Sequence, residues 1–239
     1  MKSWTTKNGQ KIYQVLGRRC NSFLISYQNR HLLVDTGLKN KWKYLSKELD
    51  NLGVSHNSLK ALILTHSHVD HAANAASIKE KYKTAIIVHK SEADYLKRGK
   101  NPVIHGTIFI TKFLSYIIPP KLVLRYLRHK PADYDILVDK RYDLKKLGFN
   151  GYIIHTPGHT QGSVCVIIDD EIAIVGDNMF GVFRRAVFPP FADDPKLMVK
   201  SWKKLLDTGC SIYLPAHGTG RSRELVQQKY NKYKKVYDL

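Results

Sequence analysis

The sequence is most constrained between residues 61 and 76, where an apolar run leads into a cluster of histidines. The run Ala61–Leu64 is short enough to be a buried strand, and the alanines at the far end of the segment favour a helix. Four side chains with metal-binding groups lie between them: His66, His68, Asp70 and His71. Imidazole and carboxylate ligands together suit Zn²⁺, and they also suit Fe²⁺ and Mn²⁺.

The spacing of these four side chains predicts two neighbouring cation sites. Side chains two positions apart in an extended chain point the same way, so His66 and His68 can reach one cation. Asp70 and His71 follow where the chain turns into the helix, and they can face a second cation beside the first. The competing interpretation is a polar loop that binds nothing, but such clusters are scarce in ordinary loops.

Three further candidate ligands lie in the second half of the chain. His159, Asp177 and His217 each follow an apolar, strand-like run and stand beside a glycine. Strand ends that gather at one sheet edge are where α/β proteins build their sites. The seven side chains predict two adjacent metal sites of three protein ligands each, with one shared. Two cations a few ångströms apart lower the pKa of a shared water, so the predicted nucleophile is a metal-bridging hydroxide.

Strand-like and helix-like segments alternate in the same order in both halves of the chain. In the first half, a hairpin with its tip at Gln28–Asn29 precedes a helix at Lys39–Leu52. In the second half, a hairpin around Asp169–Asp170 precedes a helix at Pro195–Leu206. The other helices predicted from apolar spacing are Ser91–Arg98 and Arg221–Tyr237. This repetition predicts an α/β fold, a four-layer αβ/βα sandwich of two mixed β-sheets with helices on both outer faces.

The alternating pattern breaks at about residues 100–130, which we interpret as an insertion in a single domain spanning residues 1–239. The insertion is apolar at first and basic after Pro119–Pro120, and its apolar part is too short to span a bilayer. It fits a lid over the site, an element packed on the sheet, a dimer surface, or a peripheral membrane contact through residues 108–130. In a lid, Phe109, Phe113 and Tyr116 would contact an acyl chain.

The net charge and the number of cysteines limit which partners and which cellular compartment fit the sequence. The formal net charge of +19 could attract nucleic acid, anionic lipid or an acidic substrate, but lysines spread over solvated helices are the favoured explanation. Cys20, Cys165 and Cys210 are widely scattered, and an odd count argues against a disulfide framework. With no apolar leader-like segment at the N-terminus, we expect a cytoplasmic protein.

The motifs together resemble the metallo-β-lactamase fold superfamily over nearly the whole chain. The sequence Thr65-His-Ser-His-Val-Asp-His71 resembles the family's HxHxDH motif, and Thr156-Pro-Gly-His-Thr160 resembles its next histidine motif. Gly176-Asp177 and Pro215-Ala-His-Gly218 resemble its aspartate and final histidine motifs. Asp35 matches the family's early aspartate, and we expect it to brace the turn and support the metal ligands.

This resemblance implies a specific ligand set and activity. One metal would be held by His66, His68 and His159. The second would be held by Asp70, His71 and His217, with Asp177 bridging the two. The implied cofactors are two Zn²⁺ ions, with Fe²⁺ or Mn²⁺ as alternatives. The implied function is a dinuclear metal-dependent hydrolase of a small ester, thioester or lactone, in which Asp70 orients the nucleophile or accepts its proton.

Residues that differ from the better-known branches of the superfamily narrow the range of expected activities but do not identify a substrate. True β-lactamases of the superfamily generally lack the bridging carboxylate that Asp177 would supply. Lactonases of the family carry a tyrosine where this chain has Phe180, and the ribonuclease Z branch usually has glycine where it has Val69. A phosphodiesterase or ribonuclease acting on nucleic acid, and a mononuclear iron sulfur dioxygenase, remain the alternatives. A metal-binding protein without enzymatic activity is the remaining class.

Four residues just after the shared aspartate are candidates for substrate contact at the mouth of the site: Phe180, Phe183, Arg184 and Arg185. The arginines would bind an acidic group of a small-molecule substrate, because a guanidinium pairs well with carboxylate and phosphate oxygens. The competing interpretation is that both arginines are solvated surface residues.

Overall fold

Two β-sheets form the centre of the fold in the computed structural model, which describes residues 1–118, 122 and 127–239. In spatial order the first sheet contains β1 (Lys2–Thr5), β2 (Lys11–Leu16), β3 (Ser22–Tyr27), β4 (Arg30–Val34), β5 (Leu59–Ile63), β6 (Ala85–His89) and β8 (Ile136–Val138). Strands β1 to β4 are antiparallel, whereas β4, β5, β6 and β8 are parallel. At the predicted hairpin tip, Gln28 and Asn29 both have a positive φ, as a two-residue turn of this kind requires.

The second sheet is built from the second half of the chain. In spatial order it contains β15 (Arg221–Ser222), β14 (Ile212–Pro215), β12 (Ile172–Gly176), β11 (Val164–Ile168), β10 (Gly151–His155) and β9 (Arg141–Asp143). Strands β12 and β14 are parallel, and β10 runs in their direction because it is separated from β12 by the antiparallel β11. A short third sheet pairs β7 (His105–Gly106) with β13 (Phe191–Ala192), and it ties the insertion to the second half.

Helices cover the outer faces of both sheets. The described helices are α1 (Trp42–Asn51), α2 (Val69–Ala72), α3 (Ala75–Tyr82), α4 (Ala93–Arg98), α5 (Phe109–Ile117), α6 (Pro195–Asp207) and α7 (Arg223–Val236). Helix α5 packs instead against the short third sheet. Two 3₁₀ turns, Lys39–Lys41 and Leu144–Leu147, precede α1 and β10. None of these described helices has the length and apolar character needed to cross a membrane.

Strand side chains alternate between an inner and an outer apolar layer, which accounts for the sandwich. In β4, Leu32 and Val34 belong to the core between the two sheets, whereas Leu33 packs outward with Leu45 of α1. The second sheet behaves in the same way, and its outer face packs against Trp202 of α6. Because each sheet buries one face on the other sheet and one face under helices, its strands are apolar on both sides. The predicted four-layer α/β architecture is confirmed.

The structure corrects two predicted helix boundaries and leaves part of the insertion outside the described residues. The helix predicted from Ser91 begins at Ala93, because the preceding Glu92 bonds to two loops of the site instead. The helix predicted from Arg221 begins at Arg223, because residues 221–222 pair with β14 as β15. Within the predicted basic part of the insertion, residues 119–121 and 123–126 lie outside the described residues.

Candidate metal centre

The seven predicted ligands follow the carboxyl ends of strands from both sheets. His66 and His68 follow β5, and Asp70 and His71 lie in the first turn of α2. The other three follow strands of the second sheet: His159 comes after β10, Asp177 after β12 and His217 after β14. Carboxyl ends of codirectional strands meet at one edge, so residues far apart in sequence converge there.

Three imidazoles form the first cluster. His66 Nε2 lies 2.8 Å from His68 Nδ1, and His159 Nε2 lies 3.2 Å from the same His68 nitrogen. All three side chains are buried. Burial lowers the pKa of His68 and of His159 to about 4 and that of His66 well below its usual value. The three rings are therefore neutral near pH 7, which is the form that binds a metal.

A carboxylate and two imidazoles form the second cluster. His217 Nε2 lies 3.3 Å from Asp70 Oδ2, and His71 Nε2 lies 3.8 Å from Asp70 Oδ1. The pKa values differ from those of the first cluster. Burial alone would lower the pKa of His217, but Asp177 and Asp70 outweigh it and raise the pKa to about 10. Burial alone would raise the pKa of Asp70, but His71 and His217 hold it at about 2.

Asp177 touches both clusters. Its Oδ2 lies 3.5 Å from His159 Nε2 and 3.3 Å from His217 Nε2, and its Oδ1 lies 3.5 Å from His71 Nε2. That Oδ1 atom is buried and has no hydrogen-bond partner among the described residues. A buried carboxylate oxygen whose contact with His71 is as long as 3.5 Å is weakly satisfied, and a cation would satisfy it more fully.

Four of the contacts between candidate ligands fit a divalent cation. Two ligand atoms at about 2.0–2.1 Å from one tetrahedral zinc ion lie about 3.4 Å apart. The contacts of Asp177 and the closer contact of Asp70 have lengths of 3.3–3.5 Å. The donor set of imidazole and carboxylate also matches the predicted metals. The structure therefore brings the seven predicted residues together, and their role as ligands is taken up as a proposal below.

The outer ring nitrogens are fixed by acceptors. His68 Nε2 lies 3.1 Å from the carbonyl oxygen of Pro102, and His159 Nδ1 lies 3.0 Å from that of Phe191. His217 Nδ1 contacts the carbonyl oxygen of Arg19. Because a carbonyl only accepts, each outer nitrogen donates a hydrogen, and the inner nitrogen that faces the cluster is the one free to bind a metal.

Asp35 supports the second cluster, as predicted. Its Oδ2 accepts hydrogen bonds from His71 Nδ1 and Thr65 Oγ1, each at 2.8 Å, and its Oδ1 accepts one of 2.8 Å from the Thr65 amide. The residue has a left-handed φ of 59°, which aspartate tolerates better than most side chains. This one carboxylate therefore orients a candidate ligand and also fixes the loop that carries the others.

Glu92 is a supporting residue that the sequence did not indicate. Its buried carboxylate accepts hydrogen bonds from the Ser67 amide at 2.9 Å and from Thr160 Oγ1 at 2.7 Å. It also contacts the Ser67 hydroxyl and accepts a bond of 3.2 Å from the Gly162 amide. Glu92 thus joins the loop after β5, which carries His66 and His68, to the loop that carries His159. An acidic residue at a helix start is common, so only its burial in the fold distinguishes it.

Five of the seven candidate ligands line a cavity of about 380 Å³: His68, Asp70, His159, Asp177 and His217. Its walls are largely apolar and are lined by Val69, Ile104, Leu127, Phe180, Pro189, Pro190 and Phe191. The insertion contributes Ile104 and Leu127. A larger hollow of about 640 Å³ lies elsewhere, and it contains none of the seven predicted ligands. The smaller cavity is the one with convergent chemistry.

The predicted substrate contacts are distributed unevenly around this cavity. Phe180 lines the wall, with its ring centroid 5.8 Å from that of His217. Phe183 packs behind it, with ring centroids 6.4 Å apart, and is largely exposed. Arg184 and Arg185 are exposed and lie outside the described wall.

The aromatic residues predicted to contact an acyl chain also lie outside the described wall. On α5, Phe109 is 86% exposed and Tyr116 is 87% exposed, and Phe113 is exposed as well. The insertion reaches the cavity through other residues.

The structure thus combines a four-layer αβ/βα sandwich with two clusters of candidate ligands that share one carboxylate. This combination is typical of metal-binding α/β proteins. The family description "Metallo-beta-lactamase superfamily" matches residues 15–217. This chain belongs to the metallo-β-lactamase superfamily, whose members are generally hydrolases. The predicted resemblance is confirmed.

Individual relatives agree with this assignment. The chain is 30% identical over 164 residues to a probable metallo-hydrolase of Methanocaldococcus jannaschii, covering 69% of each protein. It is 25% identical over 206 residues to an atrochrysone carboxyl ACP thioesterase of Aspergillus chevalieri, covering 83% of this chain and 51% of that protein. A metallo-β-lactamase structure from Cronobacter sakazakii shares the fold, with a TM-score of 0.68, 16% identity, and coverage of 99% and 94%.

Proposed function

We propose that this protein is a dinuclear metal-dependent hydrolase of a small ester, thioester or lactone. The observation that carries the proposal is the placement of Asp177. Its carboxylate contacts histidines of both clusters, and one of its buried oxygens lacks a hydrogen-bond partner among the described residues. A shared carboxylate of this kind favours two cations over one, and the ligand types favour Zn²⁺.

The ligand assignment follows the two clusters. His66, His68 and His159 would hold one cation, and Asp70, His71 and His217 would hold the other, with Asp177 between them. When bound, the cations lower the pKa of a water molecule toward neutrality and polarise the oxygen of the scissile carbonyl. The protein's own side chains orient the water and offset the charge.

Asp70 is the carboxylate best placed to act on the nucleophile. Its side chain is 27% exposed, against 13% for Asp177, and it lines the cavity floor. With a pKa of about 2 it is ionised at neutral pH and can accept a hydrogen bond from water. We propose that Asp70 orients the attacking water through this hydrogen bond, while Asp177 offsets the charge of both sites.

The apolar cavity walls favour a substrate whose acyl group binds in the cavity. Val69, Ile104 and Leu127 present aliphatic surface above a polar floor, and Phe180 adds an aromatic ring. Apolar walls around a few convergent polar groups are typical of a site for a small organic ligand. The relative in Aspergillus chevalieri is named as a thioesterase, which supports including thioesters in the proposal.

Metal analysis coupled to a substrate panel tests this function. The panel contains an ester, a thioester, a lactone and a phosphodiester, and we expect two zinc equivalents and turnover of one of the first three. Cleavage of the phosphodiester, with the steep salt dependence of nucleic-acid binding, would instead support a nuclease. A single iron equivalent without hydrolysis would support the sulfur dioxygenase alternative.

Substitution of Asp177 gives the sharper comparison. We expect Asp177→Asn to lose more turnover than the roughly 10–100-fold caused by removing an outer hydrogen-bond partner of a ligand. The matched control is Asp139→Asn, a surface aspartate 62% exposed, which we expect to retain full activity. Full turnover by a metal-replete Asp177→Ala protein would contradict the proposal.

A further inference from the structure

Cys20 lies beside the second ligand cluster, although no motif around it in the sequence marks it as part of a site. The residue is 4% exposed and sits in the loop between β2 and β3. Its Sγ lies 3.9 Å from His71 Nε2. One ligand atom from each of Cys20, Asp70, His71 and His217 falls within 4.8 Å of all the others. The sulfur therefore joins a group of nitrogen and oxygen donors.

The loop that carries Cys20 is fixed to the loop that carries His217. The Asn21 amide donates a hydrogen bond of 2.6 Å to the carbonyl of Ala216, and Asn21 Nδ2 donates bonds of 2.9 and 3.0 Å to the carbonyls of Pro215 and Gly218. His217 Nδ1 contacts the carbonyl oxygen of Arg19. Contacts on both sides of Cys20 thus hold its backbone at a set position relative to the cluster.

The surroundings of Cys20 differ from those of the other two cysteines. Cys165 and Cys210 belong to the apolar core beneath α6, where a thiol packs as a small hydrophobic group. Cys20 belongs to none of the three apolar clusters of the described structure. Its sulfur faces the inner nitrogen of His71, whose outer nitrogen is occupied by Asp35. That inner nitrogen is also the one that faces Asp70 and Asp177.

We propose that Cys20 is a thiolate ligand of the second metal, together with Asp70, His71 and His217. This inference rests on the metal centre of the proposed function and deepens it. Zinc–sulfur and zinc–nitrogen bonds of about 2.3 and 2.0–2.1 Å place the two ligand atoms about 3.5 Å apart, a few tenths less than the observed contact. On binding, the sulfur–metal bond forms and the thiol proton passes to solvent, without oxidation or reduction.

A sulfur ligand at this position determines which metal the second site prefers. Thiolate is a soft ligand that favours zinc or cobalt, whereas Mn²⁺ and Mg²⁺ favour oxygen ligands. Cys20 would therefore make the second site selective for a thiophilic cation, while the three histidines of the first site suit several divalent metals. The two sites would differ in metal preference although they share Asp177.

Cobalt titration tests the proposal without measuring activity. Metal-free protein is titrated with Co²⁺ while bound cobalt is counted and the near-ultraviolet spectrum is recorded. We expect a sulfur-to-cobalt charge-transfer band that grows with occupation of the second site. We expect Cys20→Ser to lose the band and to weaken the second Zn²⁺ by at least the roughly tenfold that loss of an outer ligand partner costs. Cys210→Ala, the matched control, should retain both.

The outcomes separate this inference from the proposed function. Wild-type protein that binds two cobalt ions without a near-ultraviolet band would overturn the role of Cys20 and leave the dinuclear centre standing. Persistence of the band in Cys20→Ser would overturn it as well. Wild-type protein that binds no cobalt or zinc would overturn both proposals. The wild-type spectrum decides the matter even if the Cys20 variant folds poorly.

Discussion

At the scale of single residues, the site is organised by carboxylates that serve different roles. Asp177 contacts both ligand clusters, Asp70 faces the cavity, and Asp35 bonds to the outer nitrogen of His71. In the absence of a cation, raised pKa values leave His71 and His217 protonated, and these protons balance the carboxylates. A divalent cation would take over that role, so binding at the second site releases protons.

Replacing Asp35 tests how an outer partner supports a ligand. We expect Asp35→Asn to weaken the second zinc about 10–100-fold, because the amide no longer fixes His71 through a charged hydrogen bond. A chelator competition assay measures the affinity, and Asp139→Asn is again the surface control. Unchanged affinity in Asp35→Asn would show that His71 needs no such support.

The buried histidines make the stability of the metal-free protein depend on pH. His68 and His159 have pKa values of about 4 in the folded protein, below their usual 6.5, so the unfolded chain binds more protons between these limits. We expect the Tm to be maintained at pH 6.5 and to fall as the pH falls toward 4. Above pH 6.5 the raised pKa of His217, about 10, acts in the opposite direction, and the Tm falls again.

Thermal unfolding of metal-free protein across this range measures the effect. Below pH 6.5 the Tm should depend less on pH in a His68→Asn, His159→Asn double variant. Above pH 6.5 it should depend less on pH in His217→Asn. A Tm that does not change between neutral pH and pH about 4 would contradict the assigned environments of the first cluster.

At the scale of elements, loops after parallel strands carry the ligands, and buried polar side chains hold these loops together. Glu92, just before α4, joins the loop after β5 to the loop after β10. Asn21, before β3, joins the loop of Cys20 to that of His217. These contacts connect the two sheets at the edge where the clusters meet.

Replacing Glu92 tests this connection. We expect Glu92→Gln to lower the free energy of unfolding by about 1–3 kcal/mol, because the amide replaces one acceptor oxygen with a donor that faces other donors. The matched control is Glu80→Gln on α3, whose side chain is 64% exposed and should change stability by less than about 0.5 kcal/mol. Denaturant unfolding of both variants decides whether the buried contact stabilises the fold; equal stabilities would contradict it.

At the scale of the whole molecule, local patterns in the sequence were sufficient for the fold and for the seven candidate ligands. The ligands of HSHVDH are neighbours in sequence, and His159, Asp177 and His217 each follow a recognisable strand. Strand alternation fixed the two sheets, because both halves repeat the same order of elements. Fold-level regularities of this kind are readable without coordinates.

Contacts made over long sequence distances could not be predicted in the same way. Glu92 and Cys20 have no neighbours that mark them, and their importance depends on loops 25 to 70 residues away. Arg184 and Arg185 follow a candidate ligand in sequence, but their side chains are exposed and are not part of the described cavity wall. Proximity in sequence to a ligand is therefore weak support for substrate contact.

We expect the seven candidate ligands to hold two cations that share Asp177. Anomalous X-ray scattering from crystals of zinc-loaded protein locates these cations. We expect two zinc peaks, one among His66, His68 and His159 and one beside Asp70, His71 and His217, with the Asp177 carboxylate between them. A single peak, or two peaks that do not both contact Asp177, would contradict this expectation.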